Sequence, residues 1–207
     1  VLILIGGMVE MIPTFMIKSN IPTIASVKPY TPLELQGRDI YVREGCYTCH
    51  SQMVRPFRHE TERYGEYAKA GEYVYDHPFQ WGSKRTGPDL LRVGGKYPNV
   101  WHYHHMIDPR TMSPGSIMPP YEFLSENNLD TASTPAKIRA MITLGVPYPA
   151  GYDQQANADL MQQANAIAAD LKASGAGIES NKELVALIAY LQRLGTDIKA
   201  DKIAGAN

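Results

Sequence analysis

The stretch Gly45-Cys46-Tyr47-Thr48-Cys49-His50, GCYTCH, holds the only two cysteines in the chain, with a histidine directly after the second. Three chemistries suit it. A redox dithiol would pair Cys46 with Cys49. That motif belongs beside a βαβ pattern, and no such pattern is legible here. A zinc site needs four ligands; a second cysteine pair is absent, though histidines could complete one. The third reading is covalent haem. C-x-x-C-H is the attachment signature of c-type haem, in which both thiols bond one porphyrin and His50 takes the iron. The string also occurs by chance, so its surroundings carry the decision.

The chain has 207 residues and a formal net charge of −1. A near-neutral balance argues against a nucleic-acid partner, which usually leaves a basic footprint. Fifteen prolines point to a loop-rich domain rather than a simple bundle. The chain opens in an apolar run, Val1 to Ile17, VLILIGGMVEMIPTFMI. It has no basic lead and no small-residue cleavage site, so it is not a signal peptide. A spanning helix needs about 20 apolar residues. The run is therefore expected to be the end of a transmembrane helix, incomplete at its start, over residues 1–18. Within it, Glu10 should face protein or the aqueous boundary. Gly6-Gly7 would admit a neighbouring helix, and Pro13 removes a backbone bond. Residues 19–31 read as a Pro-rich linker, 32–200 as the domain, and 201–207 as a tail.

The domain reads as mainly α. Thr31 and Pro32 mark a helix start, and that helix runs into GCYTCH. Residues 51–84 are rich in Arg, Tyr, Glu and His with weak periodicity, which predicts an irregular insert with at most a short helix. NVWHYHHMIDP predicts a helix stopped by Pro109. TPAKIRAMITLG and the Ala- and Gln-rich stretch after Gly151 predict two more. Near the C-terminus, Ser180 and Glu183 suggest a capping box. Leu184, Leu187, Ile188 and Leu191 follow at helical spacing.

A helix before the haem motif and an apolar helix at the C-terminus resemble a cytochrome c domain, in which the two cross near the haem edge. In that family a Gly-Pro pair downstream supplies a carbonyl to the proximal histidine. The resemblance places Pro88 of TGPDL in that role for His50, where it would raise the basicity of the ring. A sixth ligand is needed. The candidates are Met53, Met106, Met112, Met118 and Met141, with His102, His104 and His105 nearby. Met118 is preferred, because Pro119 and Pro120 stiffen its loop and cytochromes c carry the axial methionine just before a proline. Met112 is the runner-up. The HYHH cluster reads as polar residues of the surface or the haem pocket. Arg55, Arg58, Lys84, Arg85 and Arg92 could pair with haem propionates, and Arg55 is nearest the motif.

The stretch from CYTCHSQMVRPF through VYDHPFQWGSKRTGPDL, together with the N-terminal run and MPPY, resembles the mono-haem subunit II of cbb(3)-type cytochrome c oxidases, over about residues 1–150. The resemblance implies one haem c, covalent through Cys46 and Cys49, with His50 and Met118 as axial ligands. It implies two protein partners, the catalytic haem–copper oxidase subunit and a di-haem cytochrome c subunit. This chain would relay electrons from the second to the first, with no catalytic centre of its own. It also implies a single-pass protein of the bacterial inner membrane, in contact with lipid, with its haem domain in the periplasm. Lys18 and Lys28, on that side of the anchor, run mildly against the positive-inside trend. The insert would be docking surface, its aromatic and Arg-rich composition being that of interfaces. Two alternatives stand beside this reading: the cytochrome c subunit of a nitric oxide reductase, and a stand-alone membrane-anchored cytochrome c.

Overall fold

A computed structural model describes residues 1–17 and 22–199. Lys18 and the tail 201–207 lie outside the described residues, as does the start of the linker. Helix α1 is Leu2–Met16, only 15 residues. At about 1.5 Å per residue it measures roughly 22 Å, against about 30 Å of bilayer hydrocarbon. No helix among the described residues is long and apolar enough to cross a membrane. The expected transmembrane helix at residues 1–18 is corrected accordingly. The run is apolar and helical as read, and among the described residues it forms a 15-residue exposed helix that continues through Pro13.

Helix α2, Pro32–Arg43, starts as its sequence predicts. The Thr31 hydroxyl accepts from Glu34 N at 3.3 Å, and the Glu34 carboxylate accepts from Thr31 N at 2.8 Å. Together they satisfy two orphan donors of the first turn. Gly45, at φ 69°, ends this segment in the left-handed region and turns the chain into a 3-10 turn, Cys46–Thr48. The insert contains helix α3, Arg58–Tyr64, and a second 3-10 turn, Ala70–Tyr73. Helix α4 is Asn99–Ile107. Pro109 begins the short helix α5, Pro109–Met112, with the Asp108 side chain accepting from Arg110 N at 3.1 Å. Helices α6, Thr134–Thr143, α7, Tyr152–Ala173, and α8, Glu183–Arg193, follow. Among the described residues, β-pairing is limited to an isolated bridge between Asn128 and Lys182.

The core forms where α2 crosses α8. At Gly37 a Cβ would stand 1.9 Å from the Ala186 carbonyl oxygen, so only glycine permits this approach. Every residue of α8 from Glu183 to Leu191 is buried, including the periodic leucines. Helix α7 covers this pair with Leu160, Ala164 and Leu171. The expected capping box at Ser180 and Glu183 does not form. Lys182 precedes the first turn, and the Glu183 carboxylate instead accepts from both terminal nitrogens of Arg43, Nη1 and Nη2, at 2.7 Å. The end of α2 is thereby tied to the start of α8.

The insert is held by buried ion pairs more than by apolar packing, which explains its weak periodicity. Arg38 of α2 reaches Asp76 at 2.5 Å, and both are buried. Arg92 engages Glu72 at 2.5 and 2.8 Å. The segment before α2 is also tied down. Lys28 N donates to Asp197 at 3.0 Å, and Arg193 donates to the Lys28 carbonyl at 2.8 Å.

Candidate functional site

The GCYTCH segment sits where α2 ends. Cys49 N and His50 N both donate to the Cys46 carbonyl, at 3.2 and 2.9 Å, and the Thr48 hydroxyl donates to Gly45 O at 2.7 Å. The loop is thus wound tightly on itself, with Cys46 half-buried against the main core and Cys49 exposed. Burial pushes the Cys46 thiol up to about 12, with the Glu44 charge adding to the shift. Cys46 is thus unlike the attacking cysteine of a redox dithiol, whose pKa is lowered. Among the described residues, no group of three or more His, Cys, Asp and Glu side chains is placed to hold a metal ion.

Residues 86–91 run alongside the residues after Cys49. Gly87 N donates to Cys49 O at 3.0 Å, and Leu90 N donates to Ser51 O at 2.9 Å. Between these bonds, His50 Nδ1 lies 2.8 Å from the Pro88 carbonyl oxygen. A carbonyl only accepts, so the proton is on Nδ1 and the lone pair is on Nε2, the form that binds a metal. A Cβ on Gly87 would lie 2.2 Å from His50 Cε1, so the ring rests directly on the glycine. Burial lowers the pKa of His50, while the Pro88 carbonyl and the Asp89 charge pull it back up.

Met118 is half-buried and packs against the same core as Cys46. Its N–H donates to the Ser116 hydroxyl at 3.2 Å. Met106 and Met141 are buried core residues. On α4, the His105 ring stacks on Trp101 at 4.7 Å, and Trp101 stacks on Tyr97 at 4.1 Å. His105 lies within electrostatic reach of His50. Burial drives His102 down to about 4. His102 Nε2 and His105 Nδ1 are buried and have no hydrogen-bond partner. Tyr121 lies within electrostatic reach of both cysteines.

Arg55 is half-exposed. Its guanidinium and its backbone N–H both bind Glu60, the latter at 2.9 Å. Arg85 binds Glu60 at 2.7 Å, Arg58 pairs with Glu62 at 2.7 Å, and Lys84 is exposed. Sequence reasoning missed the group that ties these residues to the motif: Ser51, Glu60, Arg85 and Asp89. The available signal was adjacency, since Ser51 follows His50 and Asp89 follows Pro88.

Residues 1–198 match the family described as cytochrome c oxidase, mono-heme subunit/FixO. The chain belongs to that family. It corresponds to subunit II of the cbb(3)-type oxidases, an electron-transfer subunit of a membrane-associated cytochrome c oxidase that carries one haem. The family implies a catalytic oxidase partner. No curated protein matches the chain.

The residues present suit one haem. A haem site calls for a ligand nitrogen with a free lone pair and for apolar walls. His50 Nε2 offers the lone pair, and Cys46 and Met118 pack against one apolar core. The unpartnered nitrogens of His102 and His105 are polar atoms for which a bound group could supply partners.

Proposed function

We propose that this chain relays electrons through one covalent haem c to the haem b of the catalytic subunit, which reduces oxygen to water. Cys46 and Cys49 would hold the haem through thioether bonds, with His50 and Met118 on the two faces of the iron. The haem supplies one-electron chemistry. The chain supplies its binding, its axial ligands and the surroundings that set its potential. His50 and Met118 would both hold the iron, so the group would supply electron transfer rather than oxygen reduction, which would take place in the catalytic subunit.

The observation that carries this reading is the His50 Nδ1 to Pro88 carbonyl contact at 2.8 Å, with His50 two residues beyond the Cys46–Thr48 turn and its ring resting on Gly87. It fixes the ring and leaves Nε2 to bind iron. The electron donor in this proposal is a di-haem cytochrome c subunit, and the haem domain lies on the periplasmic side, where thioether attachment takes place. The insert contributes the docking face. Phe79 and Trp81 stack at 4.6 Å, and both are exposed. The Trp81 carbonyl is tied at 2.7 Å to Gln52 N, two residues beyond His50.

The experiment is a pyridine haemochrome assay on this subunit, resolved from the purified membrane complex. It is paired with rapid-mixing spectroscopy of haem c and haem b. One covalent haem per chain, losing its electron after haem b when the fully reduced complex is mixed with oxygen, is the expected result. A subunit without covalent haem, or a haem c that stays reduced while oxygen is consumed, would overturn the proposal.

A further inference from the structure

We propose that Asp89 and Arg85 are an opposed pair of charges that sets the reduction potential of the haem held by His50, and that Asp89 also clamps the Pro88 carbonyl onto the His50 ring. The inference rests on the haem reading above.

The clamp is visible bond by bond. The Asp89 side chain is fully buried. Its carboxylate accepts from the Ser51 hydroxyl at 2.6 Å, from Met53 N at 2.8 Å and from Leu91 N at 2.9 Å. Ser51 is the neighbour of His50, and Asp89 is the neighbour of Pro88. The Ser51–Asp89 bond therefore joins the residues immediately beyond the His50–Pro88 contact, as the Cys49–Gly87 bond joins those before it. Pro88 lacks an N–H and cannot secure itself through one. Its carbonyl is held from both sides by these neighbours.

The charges are arranged in order. Arg85 Nη2 lies 3.5 Å from Asp89 and 2.7 Å from Glu60, and Arg85 Nε donates to the Ser51 hydroxyl at 2.8 Å. Arg85 thus stands between two carboxylates, and only part of its charge offsets Asp89. Asp89 is the acid bonded at 2.6 Å to Ser51, the residue next to His50. Interior charges act strongly at short range because little water screens them. A negative charge there favours the oxidised, more positive iron and lowers the potential. The Arg85 cation does the opposite.

A purely structural role predicts something different. Loosening the clamp from either side would weaken the Pro88 bond, make the imidazole a poorer donor and raise the potential. The charge pair requires opposite signs. The test is spectroelectrochemical titration of haem c in the purified oxidase complex, with haem content measured in parallel. Three variants are compared: Asp89→Asn, Arg85→Gln and Ser51→Ala. The expected shifts are upward for Asp89→Asn, downward for Arg85→Gln, and smaller than either for Ser51→Ala. An upward shift or no shift for Arg85→Gln overturns the proposal, as does a Ser51→Ala shift equal to that of Asp89→Asn. If Asp89→Asn does not accumulate, the sign for Arg85→Gln decides alone. A parent subunit without covalent haem would instead sink the haem reading itself.

Discussion

The His50 ring lies directly on Gly87, so close that a Cβ there would stand 2.2 Å from Cε1 and 2.7 Å from Nδ1. The same approach brings Nδ1 to 2.8 Å from the Pro88 carbonyl. The glycine and the carbonyl act together: one makes room for the ring and the other orients it.

Gly87→Ala is therefore expected to push the ring off its seat and break the Pro88 hydrogen bond. A raised haem potential in spectroelectrochemical titration is the expected outcome. An unchanged potential would mean that the loop yields instead of the ring.

Met118→Leu should remove the second axial donor without emptying the loop, since Leu and Met are similar in volume. A high-spin or miscoordinated haem with a lowered potential is expected. An unaltered spectrum would transfer the role to Met112 or to a histidine of α4.

Gly37→Ala tests the helix crossing that carries the domain. The added methyl would meet the Ala186 carbonyl oxygen at 1.9 Å, and backbone cannot step aside as a side chain can. A loss of about 3 kcal/mol is expected for such overpacking, read by denaturant unfolding of the subunit. A loss under about 0.5 kcal/mol, the range of ordinary surface substitutions, would show that α2 and α8 can separate freely.

Glu60 gives a pH dependence. Arg85 is the main cause of its depression from the ordinary 4.5 to about 2, with Arg55 assisting. A depressed carboxylate contributes stability that is complete above its unfolded value and lost as pH falls through its folded one. The contribution should thus be full above about pH 4.5 and fade toward about pH 2. Glu60→Gln should flatten that part of the acid limb. It should also destabilise the insert at neutral pH by about 2 kcal/mol, because Arg85 keeps Asp89 but loses the charge of its nearer carboxylate. Acid unfolding curves of parent and variant, compared over that window, check both effects.

Helix α2 was readable because its cap is local: Thr31, Pro32 and Glu34 fall within one turn. The buried face of α8 was readable because its leucines repeat at helical spacing. Glu183 was misread because an acid near a helix start looks alike in sequence whether it caps the turn or binds a distant arginine. The N-terminal run was correctly seen as apolar and helical. Its span was not, since the helix ends at Met16. Arg55 was ranked by nearness in sequence; its Nε pairs with Glu60, and its side chain is half-exposed.

The sequence by itself determined the chemistry on offer: two thiols and an imidazole in one short motif, and a methionine held in a proline-stiffened loop. Those are local facts, written in adjacent residues. Tertiary structure alone decided the surroundings of His50. The Gly87 seat, the Asp89 clamp and the Arg85–Glu60 pair join residues more than twenty positions apart. Burial then turns them from ordinary charged residues into short, weakly screened interactions. Spacing along the chain does not encode burial, because it arises only when the insert folds back on the residues that follow the motif.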